Sequence, residues 1–232
     1  MGEPDLSFEE LRPSAGWGVL HLFCRIGGTV DVTRVVKAVQ AGESDGYQVV
    51  SAAMLGHKAD VGFMILGPDL WRLRMFQSEV QASGLHVVAS YVSLTEVSEY
   101  AAGLPEAMKQ ARLFPHLPPD GKRAFCFYPM SKRRWPDHNW YALPYEDRRA
   151  LMMAHGTVGR QYHGRILQLI TGSAGLDDWE WGVTLFGVHP DDLKECVYQM
   201  RFDEASAYYA EFGPFYAGIV GDVPQVLSGA GS

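Results

Sequence analysis

Cysteine is scarce in this 232-residue chain: Cys24, Cys126 and Cys196 stand far apart and form no CxxC spacing. That pattern supports neither a disulfide framework nor a structural zinc, and it fits a reducing compartment such as the cytoplasm. No run approaches the roughly 18 to 20 apolar residues that a membrane span needs. Charge is sparse as well, at 20% of residues, and 20 basic against 27 acidic side chains leave a formal net charge of -7. Without a lysine and arginine excess to neutralise phosphates, nucleic acid is not an expected partner. The start, MGEPDLSFEE, is acidic and has no apolar core of a secretion signal; Met1-Gly2 invites a myristoylation reading, but Leu6 stands where Ser or Thr belongs. A phosphate loop, a Rossmann fingerprint, an HExxH helix and a GxSxG elbow are all missing. The common nucleotide, metalloprotease and hydrolase readings therefore lack their equipment.

What is present is a folding composition, 47% hydrophobic and 12% aromatic, in a length that suits one large domain or two of about 115 residues. Trp17 to Arg25 reads as a strand. Val32, Val35, Val36 and Val39 recur at helical spacing, with Gly42 as a stop. Tyr47 to Leu55 and Asp60 to Leu66 read as strands. Leu70, Leu73, Phe76 and Val80 mark one helix face after Pro68, and Leu85 to Ser93 is a further strand. That order is βαββαβ.

After a helical connector over residues 95–110 and the turn-rich PHLPPDGK, the order starts again. Strands are expected at Arg123–Met130, Arg165–Thr171, Trp179–Phe186 and Phe212–Val220, with helices at Leu143–Val158 and Pro190–Tyr209. DVGFMILG followed by PDL also resembles EWGVTLFG followed by HPDDL. The fold class expected is α+β, two tandem ferredoxin-like units, with halves at 1–112 and 113–232. Each sheet then needs cover on its second face, from the other sheet or another chain. The tail VPQVLSGAGS reads as loose.

The second half holds the chemically uneven stretches. His155 follows Leu151 and Met152 by four and three residues, so its imidazole leaves an apolar helix face. The bland account is a buried histidine bonded to backbone; the functional one is a metal ligand, and a porphyrin needs only a single axial histidine. Gln168 shares a strand face with Ile166 and Ile170. It either meets solvent near an edge or donates into an apolar cavity. Lys132, Arg133 and Arg134, followed by Trp135, form the one dense basic run. With Arg112 and Arg201 it is either a solvated loop or a set of carboxylate clamps. Tyr128 is a core aromatic or a group that is oxidised.

These segments, CFYPMSKRR, NWYALPYEDRRALMMAHGTVGRQY, ILQLITGSAGLDDWEWGVTLF and YQMRFDEASAYYAEFGPFYAG, resemble the chlorite dismutase-like superfamily, and within it the peroxide-dependent coproheme decarboxylases. The first half resembles it through element order and SYVSLTEVSEY. The resemblance implies a homopentamer with the porphyrin in the C-terminal half, and coproporphyrin ferrochelatase as a transient partner. It implies Fe-coproporphyrin III as both substrate and cofactor, hydrogen peroxide as oxidant and haem b as product. His155, in HGxxGRxY, matches the iron ligand, and Tyr128, in YPMSK, the radical-forming tyrosine. Met130 and Lys132 match substrate contacts, Lys132 near a propionate. Arg201 and Ser206 match propionate contacts, Gln168 the distal glutamine and Arg112 a propionate arginine. Chlorite dismutases carry a distal arginine where Gln168 stands, which argues against chlorite chemistry. The actinobacterial decarboxylases use a distal histidine, with which His116 does not align. The alternatives are a chlorite dismutase or peroxidase on haem b, and a non-catalytic haem carrier.

Overall fold

The computed structural model describes residues 9–101 and 103–228. Met1-Gly2 and residues 229–232 of the tail lie outside the described residues. The first half runs β1 (Gly18–Ile26), α1 (Val32–Ser44), β2 (Gln48–Met54), β3 (Val61–Gly67), α2 (Leu70–Ala82) and β4 (Leu85–Thr95), the βαββαβ order read from periodicity. Its helices start where short acidic side chains cap them. Asp31 accepts from the Arg34 amide at 2.9 Å, and Asp69 from the Trp71 amide at 3.1 Å. The connector is shorter in helix than expected: a 3-10 turn at Glu99–Ala101, then α3 (Glu106–Leu113).

The second half opens with β5 (Ala124–Lys132) and a small hairpin, β6 (Arg134–Trp135) and β7 (His138–Asn139), which periodicity did not suggest. A 3-10 turn at Trp140–Ala142 leads into α4 (Tyr145–Arg160), then β8 (Ile166–Gly172), β9 (Trp181–Gly187) and α5 (Pro190–Met200). The expected helix over 190–209 does not run through. Asp203 adopts extended backbone angles and caps a separate short helix, α6 (Glu204–Ala207). β10 (Ala210–Phe212), β11 (Tyr216–Val220) and α7 (Val223–Val226) complete the chain.

Among the described residues nine of the strands form one sheet that closes on itself, rather than two sheets facing each other. β5 pairs with β9 along one edge, from Ala124 opposite Gly187 to Met130 opposite Trp181. Its other edge takes β11 and then β10. Between them the chain from Phe212 to Tyr216 is one residue longer than the partner stretch from Phe127 to Met130, so β10 and β11 are a single strand broken by a bulge. The halves join where β2 meets β11 and where β4 meets β8, the latter over only two residue pairs, Leu94 with Gly172 and Thr95 with Thr171.

Closure divides the side chains. Val19, Phe23, Phe125, Phe127, Leu169 and Phe186 fill the inside of the barrel. The alternate residues face outward, and on the first half Leu20, Leu22, Phe63 and Ile65 are covered by Val35, Leu73, Phe76 and Val80 of α1 and α2. The tail is not loose as far as it is described: Val223, Val226 and Leu227 are buried in this same outer core. Leu227→Ala is therefore expected to lower unfolding free energy by about 2–5 kcal/mol, the usual cost of emptying a leucine site. Urea denaturation checks this, and a loss within ±0.5 kcal/mol, typical of surface positions, would return the tail to the loose reading.

Candidate active site

The two halves treat their outer faces differently. α1 and α2 lie directly on strands, whereas α4 makes its main contacts with α5, α6 and the turn at 99–101. None of its sixteen residues is buried. Leu151 and Met152 are half-buried and Met153 is exposed. α4 thus stands off the outer face of β5, β8 and β9, which carries Tyr128, Met130, Gln168, Val183 and Leu185. The exposed apolar side chains on the two surfaces, Met153 and Ile170 among them, would suit a planar apolar ligand.

His155 sits on α4 with one-fifth of its side chain exposed, and its Nδ1 lies 3.0 Å from Oδ2 of Asp203. Neither account of His155 from its own helix anticipated a carboxylate 48 residues away. The other oxygen of Asp203 accepts from the Ser206 amide at 3.2 Å, so one side chain both caps α6 and braces the imidazole. The Ser206 hydroxyl is 3.5 Å from the same Nδ1. Burial works to raise the Asp203 carboxyl, but the hydrogen bond and charge of His155, with the bonds from Ser206, hold it below the usual range. A proton on Nδ1 shared with this carboxylate leaves Nε2 as a lone-pair donor, the arrangement that orients metal-binding histidines. His21 is a contrasting case. It lies wholly inside the barrel, Nε2 is 3.0 Å from Thr184 Oγ1, and burial drives its pKa down to about 3.

Tyr128 points outward from β5 and is 7% exposed. Phe215, just beyond the β10–β11 bulge, stacks on it at 4.4 Å, and Phe212 meets it edge-on at 5.8 Å. The Tyr128 hydroxyl has no hydrogen-bond partner among the described residues. Burial pushes its pKa up, the Cys126 and Cys196 thiols add to this, and the Arg201 cation opposes it. Cys126 and Cys196 are pushed up by burial to about 12 and 11, so they stay protonated and are not nucleophiles. Arg201 is exposed, with its guanidinium 4.7 Å over the Phe212 ring, and Met130 is half-buried beside this cluster. Gln168 is exposed on β8, and its amide makes no hydrogen bond among the described residues.

The basic run turns inward. The Lys132 ammonium donates to the Ala205 carbonyl at 2.9 Å and lies 4.1 Å over the Trp140 ring. Burial lowers its pKa to about 8 against the opposing pull of Asp203 and Glu180. Arg133 donates to the carbonyls of Ala207 and Tyr208, and Arg134 lies 3.8 Å from Glu180. Lys132 and Arg133 therefore secure the 203–210 segment behind His155, while Arg134 stays at the surface. Arg112, at the exposed end of α3, has no side-chain partner among the described residues, and no contact joins it to Tyr128 or His155.

Two ferredoxin-like halves closed into one barrel define the class of tandem ferredoxin-like α/β-barrel proteins. The chain belongs to the chlorite dismutase family, whose family model matches residues 29–221. It is 47% identical over 173 residues to a coproheme decarboxylase of Staphylococcus saprophyticus, covering 70% of this chain and 69% of that one. A Natronomonas pharaonis protein named for haem binding is 49% identical over 183 residues. That match covers 72% of this chain but only 30% of the longer relative. Among solved structures, a haem-binding protein from Thermus thermophilus superposes with a TM-score of 0.82 at 35% identity, over 96% of this chain and 99% of that one. A mutant chlorite dismutase from Candidatus Nitrospira defluvii, at 20% identity, shares the fold with a TM-score of 0.77, over 95% of this chain and 98% of that one.

Replacing the brace, Asp203→Asn, is expected to cost about 10–100-fold in affinity for an iron porphyrin, as loss of such outer partners does. Titration of the Soret band checks this; unchanged affinity would remove Asp203 from the site. The sign of its effect on stability is also fixed. A carboxyl held below its ordinary range contributes fully above that range and loses its contribution as pH falls through the lowered value. The variant should lack that acid-side loss in denaturation curves.

Proposed function

We propose that this chain is a coproheme decarboxylase, converting the 2- and 4-propionates of Fe-coproporphyrin III to vinyl groups to give haem b. Each propionate consumes one hydrogen peroxide and one proton and releases one CO2 and two waters. The carrying observation is His155, whose Nδ1 is braced by Asp203 and whose Nε2 has no hydrogen-bond partner among the described residues, on a helix whose main contacts are with other helices and not with the strands bearing Tyr128 and Gln168. The 47% identity to a coproheme decarboxylase supports the same reading.

Bound substrate supplies the iron at which peroxide is reduced. The chain does the rest. His155 would hold the iron through Nε2. Gln168 would offer a neutral amide, unable to supply the cationic contact of an arginine. Tyr128, after losing one electron and its phenolic proton to the peroxide-derived oxidant, would take a hydrogen atom from the propionate β-carbon, which is not acidic enough for an ordinary base; the carbon radical then gives up the second electron as CO2 leaves. Phe212 and Phe215 pack against the Tyr128 ring. We place Met130, Gln168 and Arg201 against the substrate, with Arg112 reaching a propionate from the connector. Lys132 and Ser206 act through the segment that positions His155. The C-terminal half, 113–232, holds the porphyrin and 1–112 completes the barrel. No helix among the described residues is long and apolar enough to cross a membrane. We place the protein in the cytoplasm as a homopentamer that meets coproporphyrin ferrochelatase transiently.

Tyr128→Phe separates binding from chemistry. Porphyrin affinity should stay within about tenfold, since at most one hydrogen bond of roughly 0.5 to 1.5 kcal/mol is lost. Chromatography after peroxide addition should show haem b from the wild type and none from the variant; a near-normal yield would return Tyr128 to core packing. The Gln168 amide also predicts little sustained oxygen from chlorite, and an oxygen electrode recording many turnovers would move the protein to the chlorite-active members of the family.

A further inference from the structure

A chain of oxidisable rings runs from the segment behind His155 to the surface. Trp140, 3% exposed, lies under the Lys132 ammonium, which is bonded to the segment carrying Asp203 and Ser206. From Trp140 one branch passes to Tyr100 at 6.4 Å and on to Tyr145, stacked on Tyr100 at 5.8 Å. A second passes to Tyr209 at 5.5 Å and then Tyr208 at 6.4 Å. Both branches end in the open, Tyr145 being 41% and Tyr208 47% exposed.

Packing alone does not explain the choice of rings. The aromatic residues inside the barrel are mostly phenylalanine, with Phe23, Phe125, Phe127 and Phe186 all buried. The cluster beside α4 contains no phenylalanine: beside His138, which stacks on Tyr208 at 5.2 Å, its rings are tryptophan and tyrosine, whose polar atoms are a cost in a dry core and which lose an electron more easily. The Tyr100 hydroxyl accepts from Arg148 Nε at 3.1 Å, and Arg148 Nη2 lies 3.9 Å from the Glu99 carboxylate, so a base stands beside the phenol to take its proton when the ring is oxidised. The cation over Trp140 disfavours a resting hole there. A hole entering Trp140 is drawn outward to the tyrosines.

We propose that Trp140, Tyr100 and Tyr145, with Tyr209 and Tyr208 as a second branch, conduct oxidising equivalents from the iron site to the surface, where small phenols are oxidised one electron at a time. This rests on the iron site assigned to His155. Tyr100 passes an electron inward to the oxidised Trp140 and its proton to Glu99. A phenol at the exposed edge of Tyr145 then returns an electron, and its own proton goes to water. Overall, one hydrogen peroxide and two phenols give two phenoxyl radicals and two waters. The outlet is a peroxidase activity distinct from decarboxylation, and it discharges the site when no propionate is in reach.

The test uses protein loaded with iron porphyrin, mixed with peroxide and freeze-quenched for electron paramagnetic resonance, with guaiacol oxidation and peptide mapping of oxidised rings alongside. The Tyr128→Phe background silences that tyrosine. A tyrosyl signal should persist in it, with oxidation mapping to Tyr145 and Tyr208. Adding Tyr100→Phe and Tyr209→Phe should abolish both signal and guaiacol oxidation. In otherwise wild-type protein, Tyr100→Phe with the exposed Tyr145→Phe should reduce guaiacol oxidation and leave haem b yield unchanged. An unaltered tyrosyl signal and unaltered guaiacol oxidation in these variants would overturn the relay while the porphyrin spectrum still showed an intact iron site. Wild-type protein that fails to bind the porphyrin would overturn the iron site and the relay together.

Discussion

The structure depends on β5 being hydrogen-bonded along both edges, to β9 on one side and to β10 and β11 on the other. That double pairing turns a row of strands into a ring with no free edge at β5, so the sheet acquires an inside and an outside. The inside is phenylalanine-rich, with His21 and Tyr91 hydrogen-bonded among the rings. The outside of β5 becomes a fixed platform, and Tyr128 stands on it with its ring packed by Phe212 and Phe215.

The pseudo-repeat matters through its failure. Both halves follow the same strand and helix order, yet α1 buries Val35, Ala38 and Gly42 whereas α4, its counterpart, buries nothing. The first half stabilises the ring with packed helices, and the second leaves its helix to be positioned by polar links. Asp203 and Ser206 are those links at the imidazole, and Lys132 and Arg133 hold the segment that carries them. The imidazole is thus oriented by hydrogen bonds of stated geometry rather than by jigsaw contact.

The strands and most helices were legible because alternation and the 3.6-residue period are local properties. The place of His155 on a helix beside the half-buried Leu151 and Met152 was legible for the same reason; its role is a proposal. Asp203 was half legible: its capping role follows from its place before a short helix, but its second oxygen reaches a residue 48 positions away, which no window contains. Lys132 was visible as part of a basic run, but the direction of its ammonium was not, because that depends on the Ala205 carbonyl and the Trp140 face. The single closed sheet, the split of β10 from β11 and the buried tail were likewise set by pairings and contacts between distant segments. Alternation alone does not decide between solvent and cavity for Gln168; it is exposed on the outer face and makes no hydrogen bond among the described residues.

The pairing of β2 with β11 sets Ala52 against Val220 and Met54 against Gly218, far apart in the 232-residue chain. A ring closed by its early and final strands has a high contact order, and such topologies fold slowly because loop entropy is lost before the contact forms. On the ribosome the first half can assemble its helices over β1 to β4, but the edge of β2 waits uncovered until the last strand emerges. An emerging chain of this protein therefore carries an open strand edge for most of its synthesis, the kind of surface that chaperones or neighbouring nascent chains engage first.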